Sequence, residues 1–153
     1  MITVIAVGRL KRSEYSSLTD EYLKRINRFM KTSLVEVPDR DCDGEGKAAV
    51  EAEGRSILEK IPRKAYIISC TPEGETMDSV SFAGRLSRIL STSSSDICFI
   101  IGGSAGLSDA VKERSDMLLS FSSFTFAHNL FRVILTEQIY RAFKIINNES
   151  YHK

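Results

Sequence analysis

Short apolar runs rich in β-branched residues alternate along the chain with longer stretches in which apolar residues recur at helical spacing. Each short run is bounded by glycine, proline or polar residues, which is the pattern of a buried strand. Strands are predicted at 2–7, 33–37, 64–70, 96–101 and 116–122. Helices are predicted at 13–30, 47–60 and 79–90, with a turn or short helix after 101 and a closing helix within 127–153.

This order of elements determines the expected architecture. Strands that alternate with helices favour an α/β fold in which a mainly parallel sheet carries helices on both faces. A chain of 153 residues is large enough to bury one core, and no internal repeat or linker divides it. We therefore predict one domain that spans 1–153.

Charge changes this picture only locally. Charged residues make up 27% of the chain, and the formal net charge is +1. Seven Lys or Arg and three acids lie between Arg9 and Lys31, whereas seven acids and two bases lie between Glu36 and Glu53. The basic segment could attract phosphate, although an ordinary solvated helix face has the same pattern.

Cysteine usage and hydropathy indicate the compartment. Cys42, Cys70 and Cys98 are an odd number of cysteines with no CxxC spacing, which is typical of a reduced, cytosolic protein. The apolar run at the N-terminus is too short for a signal peptide, and no stretch approaches the length of a membrane span. We expect a soluble cytoplasmic protein that does not associate with a membrane.

Three loops follow predicted strands at the edge of the sheet where α/β proteins bind ligands, namely Cys70–Gly74, Gly102–Gly106 and Ser122–Ala127. In the second, two glycines come directly after a buried strand, where they would permit positive φ and close approach of a ligand to the backbone. A tight strand exit without a ligand would have the same sequence. The loop lacks the Lys-Ser/Thr of a phosphate-binding loop and the acidic residue of a dinucleotide site.

Other catalytic patterns are missing from the sequence. It has no GxSxG nucleophile motif and no HExxH or comparable metal spacing, so neither a hydrolase nor a metal is indicated. Its two histidines, His128 and His152, lie on either side of the closing helix. Each is most simply explained as a polar cap or surface residue.

The closing helix is apolar in almost every direction when it is projected at 100° per residue, which indicates burial nearly all round. Asn129 is a candidate N-cap. Glu137, Arg141 and Lys144 share one stripe, on which Glu137 and Arg141 can form an ion pair. A helix buried on every side in so small a domain packs on its own sheet and on something else, and we infer a homodimer.

Taken together, several motifs resemble the ribosomal RNA large subunit methyltransferase H family. They are FIIGGSAGLS, the pattern H-x-L-x-R-x-x-L-x-E-Q-x-Y-R-A over 128–142, and a terminal YHK. VIAVGRLK, EYLKRI and the VPD after the second strand are also similar, so the resemblance covers the whole chain. Members of this family are 23S rRNA pseudouridine N3-methyltransferases of the SPOUT superfamily. Two departures are Ser150, where the tail usually carries proline, and Phe126-Ala127, where some relatives carry proline.

The resemblance implies an α/β fold closed by a C-terminal trefoil knot, which general connectivity rules would argue against. It also implies a homodimer that binds S-adenosylmethionine (AdoMet) in the knot, without a metal, and acts on 23S rRNA within the ribosome. The cofactor pocket would be formed by Cys70 or Thr71, by the glycine loop and by the segment before the last helix. The implied cofactor-binding residues are Cys70, Thr71, Gly102, Gly103, Ser122, Ser123, Phe124, Thr125, Phe126 and Ala127.

Methyl transfer to N3 of a uracil-type ring also requires loss of the N3 proton. Our hypothesis is that the tail assists: His152 would accept the proton, Tyr151 would stack on or orient the base, and Lys153 would contact phosphate. Arg141 and Arg132 are candidates to stabilise the developing anion or to bind the RNA backbone.

Two other function classes compete with this interpretation. A non-catalytic ribosome-binding factor on the same scaffold would keep the basic first helix but would need neither the glycine loop nor the terminal YHK. A small nucleotide-binding domain is disfavoured by the absence of the phosphate-binding lysine and the ribose-binding acid. The glycine loop and the tail occur together, which favours the enzyme.

Overall fold

The computed structural model describes residues 1–11, 13–40, 46–92 and 96–151. Its five strands form one sheet in the order β2-β1-β4-β3-β5, and every pairing is parallel. The strands are β1 (Ile2–Val7), β2 (Thr32–Val37), β3 (Tyr66–Thr76), β4 (Ile97–Ile101) and β5 (Met117–Ser120). The helices are α1 (Ser13–Ile26), α2 (Gly46–Leu58), α3 (Ser79–Thr92), α4 (Asp109–Arg114) and α5 (His128–Ile146).

Both faces of the sheet are covered, which explains why the strands are continuous apolar runs. Ile2 and Val4 of β1 belong to the core on one face, while Ile5 and Val7 belong to the core on the other. The first face packs against α1, α3 and α5, and the second packs against α2 and α4. The predicted α/β architecture, with a parallel sheet between two helical layers, is confirmed.

The closing helix α5 lies between α1 and α3 and packs against both. Its inner face contributes Leu135, Ile139, Ala142 and Phe143 to the core. On the α1 side, Phe143 stacks on Phe29 with ring centroids 5.5 Å apart. Neighbours within one chain therefore account for much of its apolar circumference, and the homodimer stays a prediction.

Several boundaries differ from those predicted, three of them for reasons that the contacts explain. The first helix ends at Ile26 rather than near residue 30, because the Asn27 side chain accepts from Thr32 N at 2.9 Å and donates to Leu23 O at 2.8 Å. The prediction that Asn129 caps the closing helix was wrong. Asn129 lies inside α5, whose N-cap position is Ala127 and has no side-chain capping bond. The third strand continues to Thr76, past the predicted end at Cys70.

The extension of β3 contains a wide bulge. Both Cys70 and Glu75 align with Leu119 of β5, so the four residues 71–74 loop out of the ladder between them. Gly74 makes this possible, since a Cβ on it would lie 2.5 Å from the backbone nitrogen of Leu119. The bulge turns 71 and 72 towards the loops that follow β4 and β5.

Among the described residues, no helix has the length and hydropathy needed to cross a membrane.

Candidate functional site

A cavity of about 370 Å³ opens where the bulge of β3 meets the carboxyl ends of β4 and β5. All three predicted loops contribute to it. Of the predicted cofactor-binding residues, Cys70, Thr71, Gly102, Gly103, Ser122, Phe124, Thr125 and Phe126 line the cavity. Ser123 and Ala127 are not part of its lining. We call this space the first cavity.

The walls of the first cavity are apolar and uncharged. Ile101, Leu107, Leu119 and Phe131 provide hydrophobic surface, and no Asp, Glu, Lys or Arg occurs among the described lining residues. Hydroxyl groups and the bare backbone of the glycine turn provide the polar contacts. Such a pocket suits a ligand with an apolar body and few polar groups, and it offers nothing to neutralise a phosphate.

The glycine turn 102–106 is held by close packing. Gly106 N donates to Gly103 O at 3.1 Å, and Gly106 has a φ of +89°, in the left-handed region. A Cβ on Gly102 would lie 2.6 Å from Gly106 O, and a Cβ on Gly103 would lie 2.7 Å from Glu53 Oε2. Positive φ is therefore the reason for Gly106, whereas Gly102 and Gly103 are needed because other groups lie against them.

Glu53, beneath this turn, is a buried carboxyl group that the sequence analysis missed. It is 4% exposed, and its Oε1 accepts from Arg40 N at 3.0 Å. Burial, and then the neighbouring Asp39, raise the pKa of Glu53, although the Arg40 bond opposes this. The sequence predicts only that Glu53 lies on a helix, and it does not indicate that this helix contacts the glycine turn.

The bulge of β3 forms one edge of the first cavity. The Thr71 hydroxyl donates to Glu73 Oε2, and Lys112 Nζ donates to Glu73 Oε1 at 3.2 Å. The Thr71 bond is the main cause that lowers the pKa of Glu73 to about 2. Burial raises the pKa of the Cys70 thiol to about 12, so Cys70 contributes a neutral wall rather than a nucleophile.

Phe124 is unusual among the aromatic residues around the first cavity. Phe121 and Phe126 pack on Phe131, with centroids 5.0 and 5.9 Å apart, whereas Phe124 is 80% exposed. Its backbone is held in place by a bond from Phe124 N to Ser122 Oγ at 3.0 Å. A large apolar ring at the mouth of the cavity is available to cover a bound ligand or to stack on one.

A second cavity, of about 610 Å³, lies beside the first at the carboxyl ends of β1 and β2. Unlike the first, it has charged walls. Its lining includes the backbone of the turn after β1 and four charged side chains, those of Arg9, Lys11, Glu36 and Asp39. Gly103, Ser104 and His128 line both cavities, so the two spaces share one wall.

Arg132 lies behind the second cavity and is 0% exposed. Its Nη1 donates to Glu36 Oε1 at 2.7 Å, and its Nη2 donates to the carbonyls of Val7 at 2.6 Å and Gly8 at 2.7 Å. These bonds tie α5 to the ends of β1 and β2. An RNA contact by Arg132, which stays a prediction, would require this arrangement to open.

His128, on the shared wall, has a defined tautomer. Its Nε2 lies 2.5 Å from Val7 O and 3.1 Å from Arg132 Nη2. Both hydrogens of Nη2 are directed to carbonyls, so Nε2 is the donor to Val7 O and Nδ1 is left without a proton. Burial is the main cause that lowers the pKa of His128, and Arg132 adds to it, against the Val7 bond and Asp39. His128 is therefore neutral at pH 7.

The residues before the C-terminus are not brought to either cavity. The predicted ion pair is confirmed, with Arg141 Nη2 2.6 Å from Glu137 Oε1. The Tyr151 hydroxyl donates to the same oxygen at 3.2 Å, and the Arg141 guanidinium lies 4.7 Å from the Tyr151 ring centroid. Arg141 is thirteen residues beyond His128 on α5, or roughly 20 Å along a helix. His152 and Lys153 lie outside the described residues.

Tyr151 lies beyond the end of α5 and packs back against that helix. Its ring lies edge-on to that of Tyr140, with centroids 4.9 Å apart. Burial raises its pKa, and hydrogen bonding with Tyr22 and the charge of Glu137 act in the same direction. Tyr151 is therefore a neutral phenol at physiological pH, able to stack or donate but not to act as a base.

Comparison with known proteins identifies relatives over the full length of the chain. A family model described as "Predicted SPOUT methyltransferase" matches residues 1–152. The chain is 41% identical to a ribosomal RNA large subunit methyltransferase H from Listeria monocytogenes and 43% identical to one from Lactobacillus johnsonii. Each alignment covers 99% of both proteins.

Among solved structures, the fold is similar to that of a tRNA (m1G37) methyltransferase from Aquifex aeolicus, with a TM-score of 0.55. That alignment covers 92% of this chain and 69% of the other, at 14% identity, and supports the fold alone.

Proposed function

The chain belongs to the SPOUT methyltransferase family, within its ribosomal RNA large subunit methyltransferase H branch, and on that premise we propose that it methylates large-subunit ribosomal RNA with AdoMet as methyl donor. The observation that carries this proposal is the uncharged first cavity at the junction of three strand ends.

The residues of the first cavity fit AdoMet. Its volume of about 370 Å³ lies within the usual range for small-molecule sites. Leu107, Phe121 and Phe126 would enclose the adenosine, and the backbone of Gly102 and Gly103 would bind its polar edges. AdoMet, when bound, supplies a methyl group on a sulfonium. The protein's task is to hold that group in line with the acceptor and to exclude water.

We propose N3 of a pseudouridine in 23S rRNA as the acceptor, within the assembled ribosome in the cytoplasm. N3 of such a ring carries a proton that must leave as the bond to carbon forms, so a proton acceptor close to the ring accelerates the reaction. A net charge of +1 gives little overall attraction to the phosphates of free RNA. A preformed ribosomal surface, contacted at several points, is therefore the better substrate.

A homodimer, with the trefoil knot of the family, completes the proposed enzyme. Arg141 lies roughly 20 Å along α5 from the shared wall, and Tyr151 packs against Tyr140 and Arg141, so neither can reach the first cavity of its own chain in this arrangement. A second copy would place its tail at the shared wall, with His152 as proton acceptor, Tyr151 orienting the base, Lys153 on phosphate and Arg141 stabilising the anion. Arg132 would act indirectly, by holding the turn after β1.

Titration of the protein with AdoMet in a calorimeter tests the first step, and saturable binding is expected. Methylation of naked 23S rRNA, isolated large subunits and assembled ribosomes then identifies the substrate form, with the highest rate expected on assembled ribosomes. Absence of AdoMet binding would favour the competing function, a non-catalytic ribosome-binding factor.

The variant His152→Ala tests whether His152 is the proton acceptor. Single-turnover methylation rates equal to those of the wild-type protein from pH 6 to 9 would contradict that role.

A further inference from the structure

The second cavity has no part in holding the methyl donor, yet it shares a wall with the cavity that does. We propose that it receives the acceptor nucleotide, with Arg9 and Lys11 binding the RNA phosphates on either side of the target base. This inference rests on the proposed methyltransferase function and adds the site at which the RNA is held.

The two cavities adjoin at three residues. Direct methyl transfer requires donor and acceptor atoms about 3–3.5 Å apart, so their two sites must adjoin. Gly103, Ser104 and His128 line both cavities. Gly103 has no side chain and that of Ser104 is short, so these two residues take up little space between the cavities. A base in the second cavity would lie beside the reactive end of a ligand in the first, at the boundary that these three residues form. A volume of about 610 Å³ is ample for one nucleotide.

The two cavities also differ in charge. The first cavity has no charged residue among its described lining, whereas the second has Arg9 and Lys11 on one turn, both exposed. The carboxylate of Glu36, also in the lining, is already paired with Arg132. Asp39, the other acid in the lining, is hydrogen-bonded to the buried Glu53, and as a carboxylate with two oxygens it can also accept from a ring N–H. The cations thus mark where the RNA backbone passes, and Asp39 marks the side on which the base lies.

The turn that carries the two cations is held rigidly. Gly8, with a φ of +81°, donates from its N to Val37 O at 2.8 Å and accepts from Arg132 at 2.7 Å. Leu10 N donates to Glu36 Oε1 at 2.9 Å, and that carboxylate is itself fixed by Arg132. A cation on a fixed turn loses less conformational entropy on binding than one on a mobile loop. The buried guanidinium of Arg132 therefore supports RNA binding indirectly, because it holds the turn that carries Arg9 and Lys11.

The test compares the double variant Arg9→Ala/Lys11→Ala with a control that removes the same charge elsewhere, Lys60→Ala/Arg63→Ala. Lys60 and Arg63 are exposed and lie between α2 and β3, at the opposite edge of the sheet. For Arg9→Ala/Lys11→Ala, we expect the ribosome concentration at half-maximal methylation to rise about tenfold or more. Its dependence on log salt should become shallower by roughly 1.5–2, the loss of two phosphate contacts.

AdoMet affinity and thermal stability should be unchanged in both double variants, and Arg9→Lys/Lys11→Arg should retain the wild-type half-saturation. Equal half-saturation in the Arg9/Lys11 and Lys60/Arg63 variants would overturn the proposal. A second result would also overturn it. Uridine monophosphate would inhibit ribosome methylation by the wild-type protein but not by the Arg9/Lys11 variant, while the half-saturation of that variant for ribosomes stayed normal. The second cavity would then bind a free nucleotide and not the ribosomal RNA. If the wild-type protein neither binds AdoMet nor methylates ribosomes, the methyltransferase function itself fails, and this pattern differs from both others.

Discussion

Arg132 Nη1 lies 2.7 Å from Glu36 Oε1, which joins the first turns of the closing helix to the end of an outer strand. The arginine side chain is 0% exposed and the glutamate side chain 30%. A guanidinium so deeply buried is tolerated because a carboxylate accepts from its Nη1 and two backbone carbonyls accept from its Nη2, although its Nε has no partner among the described residues. The same bonds fix the turn that we propose carries the RNA-binding cations.

Replacing Arg132 by methionine should lower the free energy of unfolding by about 3 kcal/mol, the low end for breaking a buried pair, because Glu36 can partly rehydrate. Urea unfolding at pH 7 measures this. Glu36→Gln should cost less, since an amide oxygen can still accept from the guanidinium. A loss below about 0.5 kcal/mol for Arg132→Met, the usual scale of surface substitutions, would show that the network is not a stabilising tie.

Two glycine-to-alanine changes should have opposite signs. In Gly74→Ala, the new Cβ would lie 2.5 Å from Leu119 N, a backbone atom that cannot move aside. We expect a loss of roughly 2 kcal/mol or more, together with weaker AdoMet binding, because the bulge forms an edge of the first cavity. Gly84 lies on the exposed side of α3 with nothing within 4 Å of a Cβ. Gly84→Ala should stabilise by up to about 1 kcal/mol. Equal effects in thermal unfolding would refute this packing account.

The stability of the fold should depend on the charge of Glu53. Its folded-state pKa is raised above 4.5, so protonation stabilises the folded state. That stabilisation is complete below about pH 4.5 and is lost as the pH rises through the raised value. Glu53→Gln keeps an acceptor for Arg40 N without the buried charge. The variant should match wild type near pH 4 and exceed it in stability at pH 7. Exposed Glu59→Gln is the matched control, and a constant offset for Glu53→Gln across this range would contradict the prediction.

Tyr151 should contribute through its ring and not through its ionisation. Tyr151→Phe keeps the contacts with Tyr140 and Arg141 and removes only the hydroxyl bonded to Glu137. We expect its single-turnover methylation rate to stay within about threefold of wild type, whereas loss of a proton acceptor would cost about a hundredfold or more. Tyr151→Ala should lose about tenfold, the scale of one stacking contact. A hundredfold loss in Tyr151→Phe would show that the hydroxyl takes part in proton transfer.

The convergence of the three loops could be predicted from the sequence, because parallel strands end at the same edge of a sheet. Apolar runs alternating with helical patterns were enough to establish parallel strands. This is why residues as distant as Cys70, Gly103 and Phe126 were expected, correctly, around one space.

Other features depend on contacts that local patterns do not contain. The position of β4 between β1 and β3, and the bulge at 71–74, are set by pairing between distant strands. Arg132 looked like a cation available to RNA, yet its partners Glu36 and Val7 are 96 and 125 residues away. The second cavity was missed for the same reason, since the turns after β1 and β2 become one wall only in the folded sheet.

The proposed function requires that this chain transfer a methyl group from AdoMet to large-subunit ribosomal RNA. Ribosomes from a strain that lacks the corresponding methyltransferase, incubated with the protein and methyl-labelled AdoMet, test it directly when the labelled nucleoside is identified by mass spectrometry. Label confined to 23S rRNA, in N3-methylpseudouridine, is the predicted result. No incorporation by protein that binds AdoMet, or label in another nucleoside, would contradict the proposed function.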